Sequence, residues 1–167
     1  MGWYVFGAQA VAVRGVARAT QDVDVTLSAV PDVDRLLVSL HANGFRHRFP
    51  DIAAELLRDG AVLPMVHAGG MEADLVLGGT EIEELAAARA TLERVDGARV
   101  PVAAAVDLVI SKLIAGRPRD LEDVRGVLAV NPVDMDEVRA VLEALDRALG
   151  TTEFSARLDD LARPASR

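Results

Sequence analysis

Residues 22–27 read Asp22-Val23-Asp24-Val25-Thr26-Leu27. Polar and apolar side chains alternate strictly, so Asp22, Asp24 and Thr26 share one face of a strand and Val23, Val25 and Leu27 share the other. Aspartate is depleted in strands, and two on one face lie roughly 6–7 Å apart at Cα, close enough to repel each other at neutral pH. A positive charge is needed between them. The strand itself carries no lysine or arginine, whereas a hard divalent cation bridging carboxylate oxygens would meet the need. An Asp-x-Asp alone is more often a solvated sheet face than a metal site, so the flanking elements decide its reading.

Upstream, Trp3-Tyr4-Val5-Phe6 has the aromatic and β-branched profile of a buried strand, ending at Gly7, and residues 8–14 read as a short helix closed by Gly15. Downstream, Pro31 opens a stretch over 32–42 with apolar residues at helical spacing, stopped by Asn43-Gly44. A short helix is expected over 51–58, ended by Gly60, then strands over 61–66 and 71–77 joined at Gly69-Gly70. In the second of these Glu72 and Asp74 share a face, so a polar-faced strand occurs twice. If it lies beside 22–27, Asp74 brings a third carboxylate to the same face, and three can hold two metal ions across a phosphoryl or nucleotidyl transfer. Residues 81–88 read as a helix, and Asp96-Gly97 joins strands 91–95 and 98–102 as a hairpin. Helices then follow over 104–115, 119–128, 135–149 and 153–161. The expected class is α+β, a mixed sheet flanked by helices with a helical C-terminal part. The expected division is an α/β core over 1–103, a helical part over 104–163 packed on it, and a frayed tail at 164–167.

The 167 residues include no cysteine, which confines any metal to carboxylates or imidazoles, and no apolar run is long enough to span a bilayer. Together with the lack of a signal peptide pattern, this predicts a cytoplasmic protein with no membrane partner. A net charge of −8 speaks against general nucleic-acid binding. The basic side chains are arginines apart from Lys112, which is read evenly as an exposed helix lysine or a functional one. Arg119 and Asp123 read as a surface i,i+4 ion pair. His41, His47 and His67 lack metal-helix spacing and read as structural, while Arg46-His47-Arg48 reads as a solvated basic loop.

The run Gly7-Ala8, a short helix, then Arg18-Ala19-Thr20-Gln21-Asp22-Val23-Asp24-Val25 resembles the signature of the DNA polymerase β-type nucleotidyltransferase superfamily. The stretch from Asp107 through Lys112-Leu113 and Gly116-Arg117-Pro118-Arg119-Asp120-Leu121-Glu122-Asp123 is similar to the lysine- and Arg-Asp-bearing helices of the AbiEii-like toxin and related stand-alone branches. The likeness runs from about Trp3 to Leu128. It implies a nucleotidyltransferase fold, with Asp22 and Asp24 binding Mg²⁺ or Mn²⁺. Asp74 would be the third carboxylate at the metal, orienting or deprotonating the acceptor hydroxyl. Gly7 and Ala8 would open the helix that cradles a nucleoside triphosphate. Arg18, Thr20, Lys112 and Asp120 would lie against the nucleotide.

The sequence departs from that pattern twice. Ala8 replaces the second glycine or serine, leaving only a backbone amide for phosphate. The chain also starts almost at the first strand, where relatives carry a helix, so either the native N-terminus lies further upstream or an apolar patch is covered in a homodimer. The leading expectation is metal-dependent transfer of a nucleoside monophosphate to a hydroxyl of a protein or tRNA, in a toxin–antitoxin setting. The alternatives are a degenerate member that binds nucleotide or a partner without turnover, and a small-molecule, antibiotic-modifying enzyme.

Overall fold

The computed structural model describes residues 2–28, 32–58 and 62–162. Pro31, Gly60, Ala61 and the tail from Arg163 lie outside the described residues. The chain divides into two units, Met1–Val13 with Arg18–Ala103, and Arg14–Ala17 with Ala104–Arg167.

The first unit is built on a seven-stranded sheet. Its strands are β1 (Gly2–Phe6), β2 (Asp22–Ser28), β3 (Phe45–His47), β4 (Leu63–His67), β5 (Glu72–Gly78), β6 (Thr91–Val95) and β7 (Ala98–Val102). They lie in the order β3-β4-β5-β2-β1-β7-β6. β2 runs parallel to β5 and antiparallel to β1, and β1 is parallel to β7, so the sheet is mixed and the class is α+β. Its helices are α1 (Gly7–Val13), α2 (Val33–Ala42), α3 (Ala53–Arg58) after a 3₁₀ turn at Pro50–Ile52, and α4 (Glu81–Arg89).

Alternation along β2 sorts the side chains as expected. Leu27 joins Leu63, Met65 and Leu75 in a buried cluster, against which Leu36, Leu37 and Leu40 of α2 pack. The opposite face carries Asp22 and Asp24. β1 is less buried than its composition suggests: Tyr4 and Val5 are in the core, but Trp3 is 40% exposed. Tyr4 and Phe6 share one face, their ring centres 6.4 Å apart, and Trp3 lies on the other face towards the start of the strand. Asp32 caps α2 by accepting from the Arg35 amide at 2.9 Å, and Thr80 with Glu83 closes a capping box on α4.

The second unit holds α5 (Ala105–Ala115), α6 (Pro118–Val130), α7 (Met135–Leu149) and α8 (Glu153–Ala162). α5 packs against α6, α7 and α8. Leu108, Val109, Leu113, Val124, Val127, Val138, Leu142 and Leu158 supply buried side chains. Leu142 is fully buried on α7, whereas Leu149 is 63% exposed at its last turn. α5 ends at Gly116 in the left-handed conformation, and Arg157 Nη1 donates to the Leu113 and Ile114 carbonyls at 2.8 Å each. Asp146 joins α7 to α8. Its carboxylate accepts from the Phe154 and Ser155 amides at 3.1 and 2.9 Å and from the Ser155 hydroxyl at 2.6 Å. Gly126, inside α6, is explained by proximity: a Cβ there would lie 2.7 Å from Val16 Cγ1.

Candidate active site

The strand registers build the site of the first unit. In the parallel pair β2–β5, Asp22 lies opposite Glu72 and Asp24 opposite Asp74. Four carboxylates therefore share one sheet face. β4 pairs Pro64 with Asp74, and β3 lies beyond β4 at the sheet edge.

Arg48 follows β3 directly, its amide donating to the Pro64 carbonyl at 2.9 Å, which carries the β3–β4 ladder one residue further. Its side chain crosses the face, Nη1 donating to Glu72 Oε2 and Nη2 to Asp74 Oδ1. Residues 46–48 are thus no solvated loop. The first two lie in β3, and the third is 22% exposed at the side chain, with Asp74 at 24%. The residue that follows β3 therefore supplies a cation to the β5 carboxylates on this face. Burial, and then the charge of neighbouring His41, hold the His47 imidazole below its usual value.

Gly7 has φ +64°, and a Cβ added there would fall 1.8 Å from Asp24 Oδ2. The turn from β1 into α1 passes against the Asp24 carboxylate, and only glycine fits both the backbone angle and the space. Ala8 beside it is buried. The Thr20 hydroxyl donates to Asp22 Oδ1 and, at 3.3 Å, to the Asp22 carbonyl. It thereby fixes the orientation of the first carboxylate. Arg18 is half-buried.

Among the described residues, no three histidine or acidic side chains converge as a metal-binding group, and Arg48 engages Asp74. Magnesium is commonly held by one or two carboxylates and completes its octahedron with water and substrate phosphates. Asp22 and Asp24 fit that requirement: both are hard oxygen donors on one face, the first oriented by Thr20 and the second framed by the bare Gly7 backbone.

Lys112 and Asp120 meet in the second unit, within a buried ion cluster. The Lys112 ammonium lies 2.9 Å from Asp120 Oδ1 and 2.8 Å from Asp123 Oδ2, and the Asp120 side chain is 2% exposed. The exposed-lysine reading is corrected, as is the Arg119–Asp123 surface pair: Asp123 is buried and its partner is Lys112. Arg117 adds a bond from Nε to Asp120 Oδ2 at 2.6 Å. Burial alone pushes the Asp120 carboxyl up, but the hydrogen bonds and charges of Arg117 and Lys112 outweigh it and hold the group below its ordinary value.

Asp22, Asp24, Asp74, Gly7 and Thr20 are thus assembled in the sheet unit, and Lys112 with Asp120 in the helical one. Sequence reasoning missed Arg48 and the partnership of Asp123. The signal for Arg48 was its position two residues after Arg46, which puts both on one face of any strand there, but three residues are too few for alternation to declare itself.

Residues 89–163 match the model of a family described as nucleotidyltransferase of unknown function (DUF6036). This is less than half of the chain. The matched segment contains Lys112, Asp120 and Asp123 and none of Asp22, Asp24 and Asp74. Among solved structures, the fold is similar to an antigenic nucleotidyltransferase-like protein from Paracoccidioides brasiliensis, with TM-score 0.52, 15% identity, 94% of this chain covered and 84% of that one. A looser similarity, TM-score 0.47 at 11% identity over 77% of this chain and 87% of the other, is to the lincomycin-bound lincosamide antibiotic adenylyltransferase LnuA. No curated protein matches the sequence. The fold is thus similar to that of a nucleotidyltransferase-like protein, and residues 89–163 resemble a nucleotidyltransferase family. No helix among the described residues is long and apolar enough to cross a membrane.

Proposed function

We propose that this chain transfers a nucleoside monophosphate from a nucleoside triphosphate to an acceptor hydroxyl, with Mg²⁺ or Mn²⁺ held by Asp22 and Asp24. The observation that carries the reading is the face on which Asp22 and Asp24 stand opposite Glu72 and Asp74, with the Gly7 backbone against Asp24. The cation would offset charge on the triphosphate and on the developing transition state. The acceptor oxygen bonds to the α-phosphorus, the bond to the bridging oxygen breaks, and pyrophosphate leaves. Thr20 keeps the Asp22 carboxylate turned to the site. Gly7 and Ala8 present backbone amides and no side-chain obstacle to the phosphates. Asp74 orients the acceptor hydroxyl or takes its proton, itself steadied by Arg48, and Arg18 lies against the nucleotide. Lys112 and Asp120 act as scaffold, since their charges are engaged with each other.

The resemblance to the AbiEii-like branch supports a protein or tRNA acceptor in a toxin–antitoxin setting. The test is incubation with each labelled triphosphate, Mg²⁺ and cell extract. Label that enters macromolecules and is lost on protease treatment identifies a protein acceptor, and loss on ribonuclease treatment identifies RNA. Label resistant to both, in the small-molecule fraction, points to the antibiotic-type reaction. Absence of metal-dependent transfer, with Asp24→Ala matching wild type, removes the proposal.

A further inference from the structure

Two carboxylate pairs face each other across β2 and β5. The pair on β5, Glu72 and Asp74, is spanned by one guanidinium whose two terminal nitrogens each serve one carboxylate. That guanidinium is built in rather than draped over the surface. Its backbone is locked by the bond from the Arg48 amide to Pro64, its side chain is mostly buried, and its plane is flanked by Phe49, whose ring centre lies 5.9 Å from Arg48 Cζ. A planar fork matches two carboxylates spaced two residues apart on a strand in a way that a point charge does not.

We propose that Arg48 is a resident counter-cation standing where a second metal ion would otherwise sit, so that the site takes a single divalent ion on Asp22 and Asp24, and Asp74 is a guanidinium-held carboxylate and not a metal ligand. This rests on the metal-binding reading of Asp22 and Asp24 given above. A bound metal leaves with a chelator, whereas Arg48 is covalently part of the fold and keeps the β5 pair neutralised in the empty and loaded protein alike. Removing the guanidinium exposes Glu72 and Asp74 to each other and to the β2 pair, a four-carboxylate face that a second cation would then enter.

The experiment is titration of the full chain with Mn²⁺ alone, reading free Mn²⁺ by electron paramagnetic resonance. Wild type is expected to bind about one ion per chain and Arg48→Ala about two, while Arg48→Lys, which keeps a positive charge, stays near one. Asp74→Asn serves where Arg48→Ala does not fold. It should leave Mn²⁺ affinity near wild type, whereas loss of a ligand or its direct support lowers affinity roughly tenfold or more. Two ions on wild type, no gain in Arg48→Ala, or a tenfold loss in Asp74→Asn would each overturn the role given to Arg48 while leaving the metal site standing. No binding to wild type, or equal binding to wild type and Asp24→Ala, would instead overturn the metal site itself and the inference with it.

Discussion

Replacing Lys112 by methionine keeps the length and apolar stem of the side chain and deletes only its ammonium. Asp120 and Asp123, whose side chains are 2% and 5% exposed, then lose the cation held 2.9 and 2.8 Å away. Arg117 still bonds Asp120. Breaking a buried ion pair from one side costs about 3–5 kcal/mol, and a chain of this size loses about 2–4 °C of Tm per kcal/mol, so a fall of roughly 6–20 °C is expected. Differential scanning calorimetry on Lys112→Met measures it. The triple variant Lys112→Met, Asp120→Asn, Asp123→Asn should recover part of the loss, because no buried charge is then left over. If Lys112→Met melts with wild type but binds ATP more weakly, the cluster is no scaffold and Lys112 belongs to the nucleotide.

Gly7→Ala places a methyl against the Asp24 carboxylate at a left-handed backbone position. It should destabilise the chain by about 1–3 kcal/mol in urea unfolding and displace Asp24, with at least a roughly tenfold loss of Mn²⁺ affinity; wild-type affinity in that variant would refute the placement of Gly7. His47 is held below its ordinary pKa, so its neutral form is favoured in the folded state and its contribution to stability is lost as pH falls below about 6.5. Unfolding free energies between pH 5 and pH 7 should therefore rise with pH, and His47→Asn should flatten the slope. On the acid side, Asp120 and Asp146 both have depressed values. Their stabilisation is complete above the unfolded carboxyl pKa of about 3.9 and disappears as pH falls through their folded values, a loss that Lys112→Met should share only in part. Asp146→Ala removes the acceptor of two α8 amides, and hydrogen exchange at Phe154 and Ser155 should accelerate.

The elements with clear periodicity were legible in advance. The alternation at 22–27, the Asp96-Gly97 hairpin and the long helix over 135–149 follow from local chemistry that tertiary packing does not override. β3 was not legible, because Phe45–His47 is a strand only through its ladder to β4, a partner some twenty residues away in sequence. The carboxylate face was readable from spacing, yet its charge balance was not. β2 holds no basic residue, and it is strand order that carries Arg48 across the β3–β4 and β4–β5 registers to Glu72 and Asp74. Lys112 failed for a related reason. An apolar stripe marks which side of a helix faces inward, but not that an ammonium can enter the interior when two carboxylates from the next helix wait for it.

The short segment Arg14–Ala17 is synthesised ahead of β2 yet belongs to the helical unit whose other members follow residue 103. Its seat is formed by Gly126, where Val16 nestles, and by Asn131, whose Nδ2 donates to the Arg14 carbonyl at 3.0 Å. Until residue 131 has been made that seat does not exist. A fragment begun at residue 104 would never acquire the segment, and one ended before residue 126 would leave Val16 in water, so neither half of the nascent polypeptide can be completed by a single cut between them.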